Sequence, residues 1–312
     1  MHLLFSFGMT ITVIGSGKVG ASIALNCCLR DLDDVRLIDI IPGLPQGEAM
    51  DINHQLSEMG IDSSVRGSNG YGDMNGSRIV VLVAGVGRKP GMSRMDLLHT
   101  NANIVRDVSL KVASYAKNCL LIVVTNPLDP MTYLALKTTG MNKNKVMGMG
   151  SLLDVSRFKS FIREGINVSR GSIQAMVIGE HGENMLPLTR FSSVSGVPLT
   201  EFVSPEVQAQ IFENTRKVAA EVIALKGATI YAPGNAVATM AEAIIKDKKQ
   251  VIPVSALLEG EYGATNICIG VPAIIGENGI ERIIELQLNS TEQEIFLKGV
   301  TSVGGAVKEI LA

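Results

Sequence analysis

The sequence predicts an α/β protein, a doubly wound parallel sheet covered by helices, followed by an α+β domain with antiparallel strands. Three observations carry this. From residue 10 to about 150, short aliphatic runs alternate with amphipathic stretches, the pattern of parallel strands buried on both faces. Beyond that the spacing changes, and Asn278-Gly279 between two apolar runs is a hairpin turn signal. Finally, 46% of the 312 residues are apolar and only 19% charged, yet the longest apolar runs, 79–87 and 119–124, fall far short of the roughly 18 residues that cross a bilayer. The hydrophobicity is divided among short buried segments.

Aliphatic runs place strands at 10–14, 35–39, 79–83, 119–124 and 145–149, with a weaker one at 61–66. Apolar residues at helical spacing place helices between them, at 18–30, 45–59, 93–117 and 129–138. Ser93, three residues before Asp96, has the form of a capping box and puts Arg94 in the first turn of its helix. In the second half, helices are expected at 151–164, 206–226, 235–247 and 291–311, and strands at 172–178, 251–258 and 264–275, with a last apolar run at 280–286. No repeat or low-complexity tract interrupts this order. The change of pattern divides the chain into 9–149 and 150–312, two units of the size expected of domains.

A formal charge of −2 and a pI near 6.1 provide no overall basic field for nucleic acid, and no membrane partner is expected. Cys27, Cys28, Cys119 and Cys268 have no metal-binding or disulfide spacing and lie in apolar segments, which reads as core packing in a reducing, cytoplasmic setting. No metal site is expected. The N-terminus has no cationic segment before its apolar residues, so no signal peptide is expected, and Met9 marks residues 1–8 as a dispensable extension.

Gly15-Ser16-Gly17-Lys18-Val19-Gly20 follows the first strand and opens the first helix. In that context the first glycine permits the tight turn, the second lets backbone approach a pyrophosphate, and the third lets helix and strand pack closely. Asp39 ends the second strand, where a carboxylate accepts hydrogen bonds from a ribose and repels a ribose phosphate. This is a Rossmann fingerprint for NAD rather than NADP.

After the strand at 79–83 comes a Gly/Pro-containing loop, 85–94, with Arg88 and Arg94 six residues apart. It leaves the carboxyl end of a strand, where open α/β sheets bind ligands, so the arginines could grip an anion as the loop closes. The alternative is a solvated basic loop. Asp154 and Arg157 stand at i, i+3 on one helix face, a spacing that also suits a simple intrahelical ion pair. His181 lies between glycines in Gly179-Glu180-His181-Gly182 at the end of an apolar run. His2 is in the tail, and His54 and His99 fall within helical patterns, leaving His181 as the best proton donor.

Together these segments resemble the lactate/malate dehydrogenase family over nearly the whole chain and in the expected order. Gly15 to Gly20 and Asp39 match its cofactor site, and Arg88-Lys89-Pro90-Gly91-Met92-Ser93-Arg94 its mobile loop. Thr125-Asn126-Pro127-Leu128-Asp129 matches its T-N-P segment, Leu153 to Phe158 its acid and arginine, and Gly179 to Gly182 its histidine. The resemblance implies that His181 gives a proton to a keto oxygen as hydride arrives from NADH, while Asp154 orients the imidazole and stabilises its charged form. It implies that Arg94 polarises the carbonyl, Arg157 holds the substrate carboxylate, Asn126 bonds near the reacting oxygen, and Asn101, Val124 and Thr125 line the cofactor site.

At the position matching Arg88, the lactate type carries glutamine and the malate type arginine. Arg88 therefore implies a dicarboxylate, malate or oxaloacetate, whose second carboxylate needs a cation. Thr229 is familiar from lactate enzymes, though the lactate-dehydrogenase-like malate type resembles it too. The expected activity is NAD-dependent malate–oxaloacetate interconversion by a homodimer or homotetramer. The alternatives are a lactate or other 2-hydroxyacid dehydrogenase, and a non-catalytic NAD sensor, which has no need of a proton donor. An NAD-using glycosidase would require a metal-binding set that the sequence lacks.

Overall fold

The computed structural model describes residues 11–87 and 93–311, the side chain of Arg94 excepted. The extension at 1–8, Thr10 and Arg88 lie outside the described residues. The first half runs β1 (Ile11–Ile14), α1 (Lys18–Leu29), β2 (Val35–Ile38), α2 (Leu44–Met59), β3 (Val65–Ser68), β4 (Ile79–Leu82), α3 (Arg94–Tyr115), β5 (Leu120–Val123), α4 (Leu128–Thr139) and β6 (Val146–Gly148). The second continues with α5 (Ser151–Ile166), β7 (Ile173–Gln174), β8 (Val177–Gly179), β9 (Met185–Pro187), β10 (Ser193–Val194) and β11 (Val197–Pro198). It ends with α6 (Pro205–Lys226), α7 (Tyr231–Ile245), β12 (Gln250–Glu259), β13 (Thr265–Gly276), β14 (Gly279–Ile283) and α8 (Ser290–Leu311).

The parallel strands follow the order β3-β2-β1-β4-β5-β6. That is the Rossmann order, with its switch point between β1 and β4. All four residues of β1, β4 and β5 are buried, so these short aliphatic runs each contribute about 1.5–3 kcal/mol per fully buried large side chain. α4 is buried from Leu128 through Leu136, as befits a helix enclosed between layers.

Most of the antiparallel strands continue the parallel sheet instead of forming one of their own. β12 pairs with β6 through Ser255 and Gly148, and β13, β8 and β9 extend the same sheet, with β14 paired to β13. The strand expected at 172–178 is divided between sheets. β7 joins a small sheet with β10 and β11, whereas β8 joins the large one. α7 begins at Tyr231, before the expected start, because Pro233 sits in its first turn, where a missing N–H costs nothing. It packs on α1 so closely that a Cβ at Gly234 would lie 2.2 Å from Ser22 Oγ, which ties the second half to the nucleotide-type half. Among the described residues no helix is long and apolar enough to cross a membrane.

Candidate active site

The glycine turn has the backbone its sequence demands. Gly15 has φ +105°, and a Cβ there would lie 2.7 Å from the Ala84 nitrogen. A Cβ at Gly20 would lie 1.8 Å from the Gly15 carbonyl oxygen, so α1 can approach the turn only with glycine. Gly17, by contrast, faces open space and serves as N-cap of α1 without a side-chain cap, and no acidic residue stands in that helix's first turn. Uncapped N–H groups and an open approach make an anion cradle, with Lys18 beside it.

Asp39 is tied to this cradle. Its Oδ2 accepts the Ser16 N–H at 2.7 Å and its Oδ1 the Ile41 N–H at 3.0 Å. The Ser16 hydroxyl is buried and has no hydrogen-bond partner among the described protein groups, a polar atom suited to a phosphate at the turn. These residues fit a dinucleotide. Val19 continues α1 behind the turn, packed against the core.

The ends of β4 and β5 are stitched together by buried polar groups. Asn101 accepts the Val86 N–H at 2.8 Å and donates to the carbonyls of Val86 and Asn126, at 3.1 and 2.7 Å. Thr125 donates to the Ala84 carbonyl at 2.7 Å, and Val124 is buried beside it. Asn101 and Thr125 thus shape the crevice by holding its walls, while Asn126, before the cis Asn126–Pro127 peptide, is exposed.

Asp154 lies in the first turn of α5, 1% exposed, and both oxygens are used. Oδ1 accepts from Arg157 Nη1 at 2.9 Å and Oδ2 pairs with His181 Nδ1 at 2.7 Å. The i, i+3 ion pair exists, and a third group from the loop after β8 has joined it, which spacing within α5 could not reveal. Burial alone would depress the His181 pKa. The charge and hydrogen bond of Asp154 outweigh that and raise it above the ordinary histidine value, with Arg157 opposing and Asp129 assisting. With Nδ1 engaged, Nε2 is the nitrogen left to exchange a proton. Arg157 and Thr229 both line a cavity of about 500 Å³ among α5, α6 and α7.

Other expected residues divide. The Ser93–Asp96 capping box is present, and Arg94 is the first residue of α3. His54 and His99 are exposed on helices, His99 beside Glu309 at 3.3 Å. The four cysteines are free and buried, with burial pushing the Cys27, Cys28 and Cys119 thiols up to about 12. Two residues around His181 carry no signal of that role in the sequence. Asp129 accepts the His181 main-chain N–H at 2.8 Å, although its place after Pro127 reads as an ordinary first-turn helix charge. Gly150 leaves room for the imidazole, since a Cβ there would lie 2.8 Å from His181 Cβ.

Comparison with known proteins identifies the family. Residues 9–148 match the family described as lactate/malate dehydrogenase, NAD binding domain, and residues 151–311 its alpha/beta C-terminal domain. The malate dehydrogenase of Methanosarcina acetivorans is 43% identical over 302 residues, 96% of this chain and 98% of that protein. Among solved structures, the malate dehydrogenase from Aeropyrum pernix superposes with a TM-score of 0.92 at 43% identity, covering 96% of this chain and 97% of that one. A lactate dehydrogenase from Cryptosporidium parvum, complexed with lactic acid and nicotinamide adenine dinucleotide, has a TM-score of 0.91 at 42% identity, with 96% and 97% coverage. The chain belongs to the lactate/malate dehydrogenase family.

Proposed function

We propose that the protein is an NAD-dependent malate dehydrogenase that interconverts (S)-malate and oxaloacetate. The observation that carries this is Asp154, one buried carboxylate holding both a proton donor, His181, and a carboxylate-binding guanidinium, Arg157. NAD(H), when bound at the Gly15–Gly20 turn, supplies or takes up the hydride. His181 gives its Nε2 proton to the keto oxygen during reduction and recovers it during oxidation, and Asp154 stabilises the imidazolium. Arg157 pairs with the C1 carboxylate as a fork, Asn126 bonds near the reacting oxygen, and Arg94 polarises the carbonyl as negative charge develops. Arg88 pairs with the second carboxylate and selects a dicarboxylate, because pyruvate would leave that cation unpartnered.

Asp39, with both oxygens fixed by backbone N–H groups, favours NAD by opposing a ribose phosphate. Asn101, Val124 and Thr125 complete the cofactor wall. The nucleotide half is 9–149 and the substrate half 150–312, in a cytoplasmic homodimer or homotetramer. Initial rates with oxaloacetate and pyruvate, each with NADH and NADPH, test the reading. Oxaloacetate with NADH should give the highest kcat/KM, and equal or better use of pyruvate would overturn the substrate assignment. The lactate reading draws on Thr229 and the lactate dehydrogenase neighbour. Arg88→Gln separates the two, since it should shift preference toward pyruvate only if Arg88 meets the substrate.

A further inference from the structure

Asp129 is a second carboxylate at the histidine, bonded to its main chain while Asp154 holds its ring. It projects from the first turn of α4, is 1% exposed, and its Oδ2 accepts the His181 N–H at 2.8 Å. Among the described residues its buried Oδ1 has no hydrogen-bond partner of good geometry, and neither does the Ser255 hydroxyl on β12, which is also buried and favours the ionised acid. An amide could accept the same N–H at no electrostatic cost, so neither packing nor that bond requires a carboxylic acid here.

We propose that Asp129 is a positioning residue of the dehydrogenase reaction. Its side chain fixes the His181 backbone, and its negative charge acts with that of Asp154 to keep the imidazole protonated until the proton is delivered. This rests on the reading of His181 as the proton donor. Among the described residues, the groups acting on the pair are Asp154 and Arg157 on α5, Glu180 beside the histidine, Ser255 on β12 and Cys268 on β13. Arg157 alone among them is a cation, and it is paired with Asp154.

Burial pushes the Asp129 carboxyl up to about 6, against the opposing pull of the Ser255 hydroxyl, the His181 N–H and the imidazolium. Because the folded value exceeds the ordinary 3.8, the ionised acid weakens the fold as pH rises from the unfolded value through the folded one. The charge is therefore kept at a cost to stability, as a group placed for chemistry would be.

The test is Asp129→Asn, which keeps the size and an acceptor but removes the charge. In oxaloacetate reduction, activity falls as His181 loses its proton, and in malate oxidation it rises. In Asp129→Asn both midpoints should move together to lower pH, by about 0.5–1 unit for loss of one nearby charge. The KM for oxaloacetate should stay within about twofold, because Arg157 keeps its partner, and the melting temperature above pH 6 should not fall. Unmoved midpoints in a folded Asp129→Asn enzyme would overturn the proposal, as would a lowered melting temperature with unmoved midpoints.

Should that variant not fold, Ser255→Ala decides. Loss of the hydroxyl raises the Asp129 pKa, leaves less charge near neutrality, and should shift the midpoints in the same direction by a smaller amount, whereas unmoved midpoints would overturn the proposal. His181→Asn separates this from the underlying reading. If it retains the wild-type pH limb, His181 is not the donor. If it loses the limb while Asp129→Asn leaves it unmoved, only the role of Asp129 fails.

Discussion

Gly150→Ala should damage chemistry while sparing cofactor binding. Gly150 has φ −135°, so alanine meets no left-handed backbone penalty, and the effect is steric. The new Cβ would lie 2.8 and 2.9 Å from His181 Cβ and Cγ and 2.2 Å from Leu128 Cδ2. Nonbonded carbons pack near ~3.5 Å, so the imidazole must retreat by roughly 0.7 Å even if Leu128 rotates away. Such overpacking costs about 1–3 kcal/mol of stability. A misplacement approaching ~1 Å at the reacting group costs up to about 100-fold in rate, so kcat should fall about 10- to 100-fold.

The Gly15–Gly20 turn is untouched, so the NADH Kd, read by fluorescence titration, should stay within about twofold. The carbonyl of Gly150 accepts the Asp154 N–H at 3.2 Å, and alanine preserves that bond. Stopped-flow and steady-state oxidation of NADH by oxaloacetate measure the effect. A kcat within about twofold of wild type would mean that His181 need not occupy the space Gly150 leaves.

Asp154→Asn keeps one carbonyl oxygen for two partners, so His181 or Arg157 loses its bond. A hydrogen bond to a charged group contributes about 1.5–3 kcal/mol, which predicts a fall of roughly 10- to 150-fold in kcat/KM for oxaloacetate. Asp39→Ser removes the charge opposing a ribose phosphate, and the NADPH-to-NADH ratio of kcat/KM should rise at least about tenfold, since like-charge opposition costs several kcal/mol. The folded His181 pKa lies above the ordinary 6.5, so its pairing contributes fully to stability below that value and is lost as pH rises through the folded pKa. The melting-temperature gap between wild type and His181→Asn should therefore be widest in mild acid and shrink at alkaline pH.

Much of the architecture is legible in the chain because every strand of the nucleotide half except the edge strand β3 falls in a separate aliphatic run, bounded by a turn or a helix of different period. The helix expected at 18–30 ends at Leu29, and the one at 93–117 spans Arg94–Tyr115, its start fixed by Ser93 and Asp96. The edge strand β3 was displaced from 61–66 because Val65–Ser68 has little apolar character of its own and is held by β2. β9, β10 and β11 have two or three residues each and present no periodicity at all.

The site divides along the same line. Gly15 to Gly20 is local, so sequence context could interpret it. The triad of Asp154, Arg157 and His181 could be assembled only through family resemblance, since His181 arrives from another element. Asp129 meets His181 at a main-chain N–H, and Gly150 meets it through the room an absent side chain leaves, contacts between elements distant in sequence that no local pattern marks. The continuous sheet rests on one pairing, Ser255 with Gly148, which hairpin signals elsewhere in the chain do not predict.

Nitrogen-15 NMR of the histidine-labelled enzyme tests directly whether Asp154 holds His181 as a charged proton donor, with His181→Asn identifying the resonance. His181 should titrate with a midpoint above the ordinary 6.5, carry its neutral-form proton on Nδ1, and drop to a lower midpoint in Asp154→Asn. A midpoint at or below 6.5 in the wild type, unmoved by that substitution, would mean that Asp154 does not hold the imidazole in its charged form.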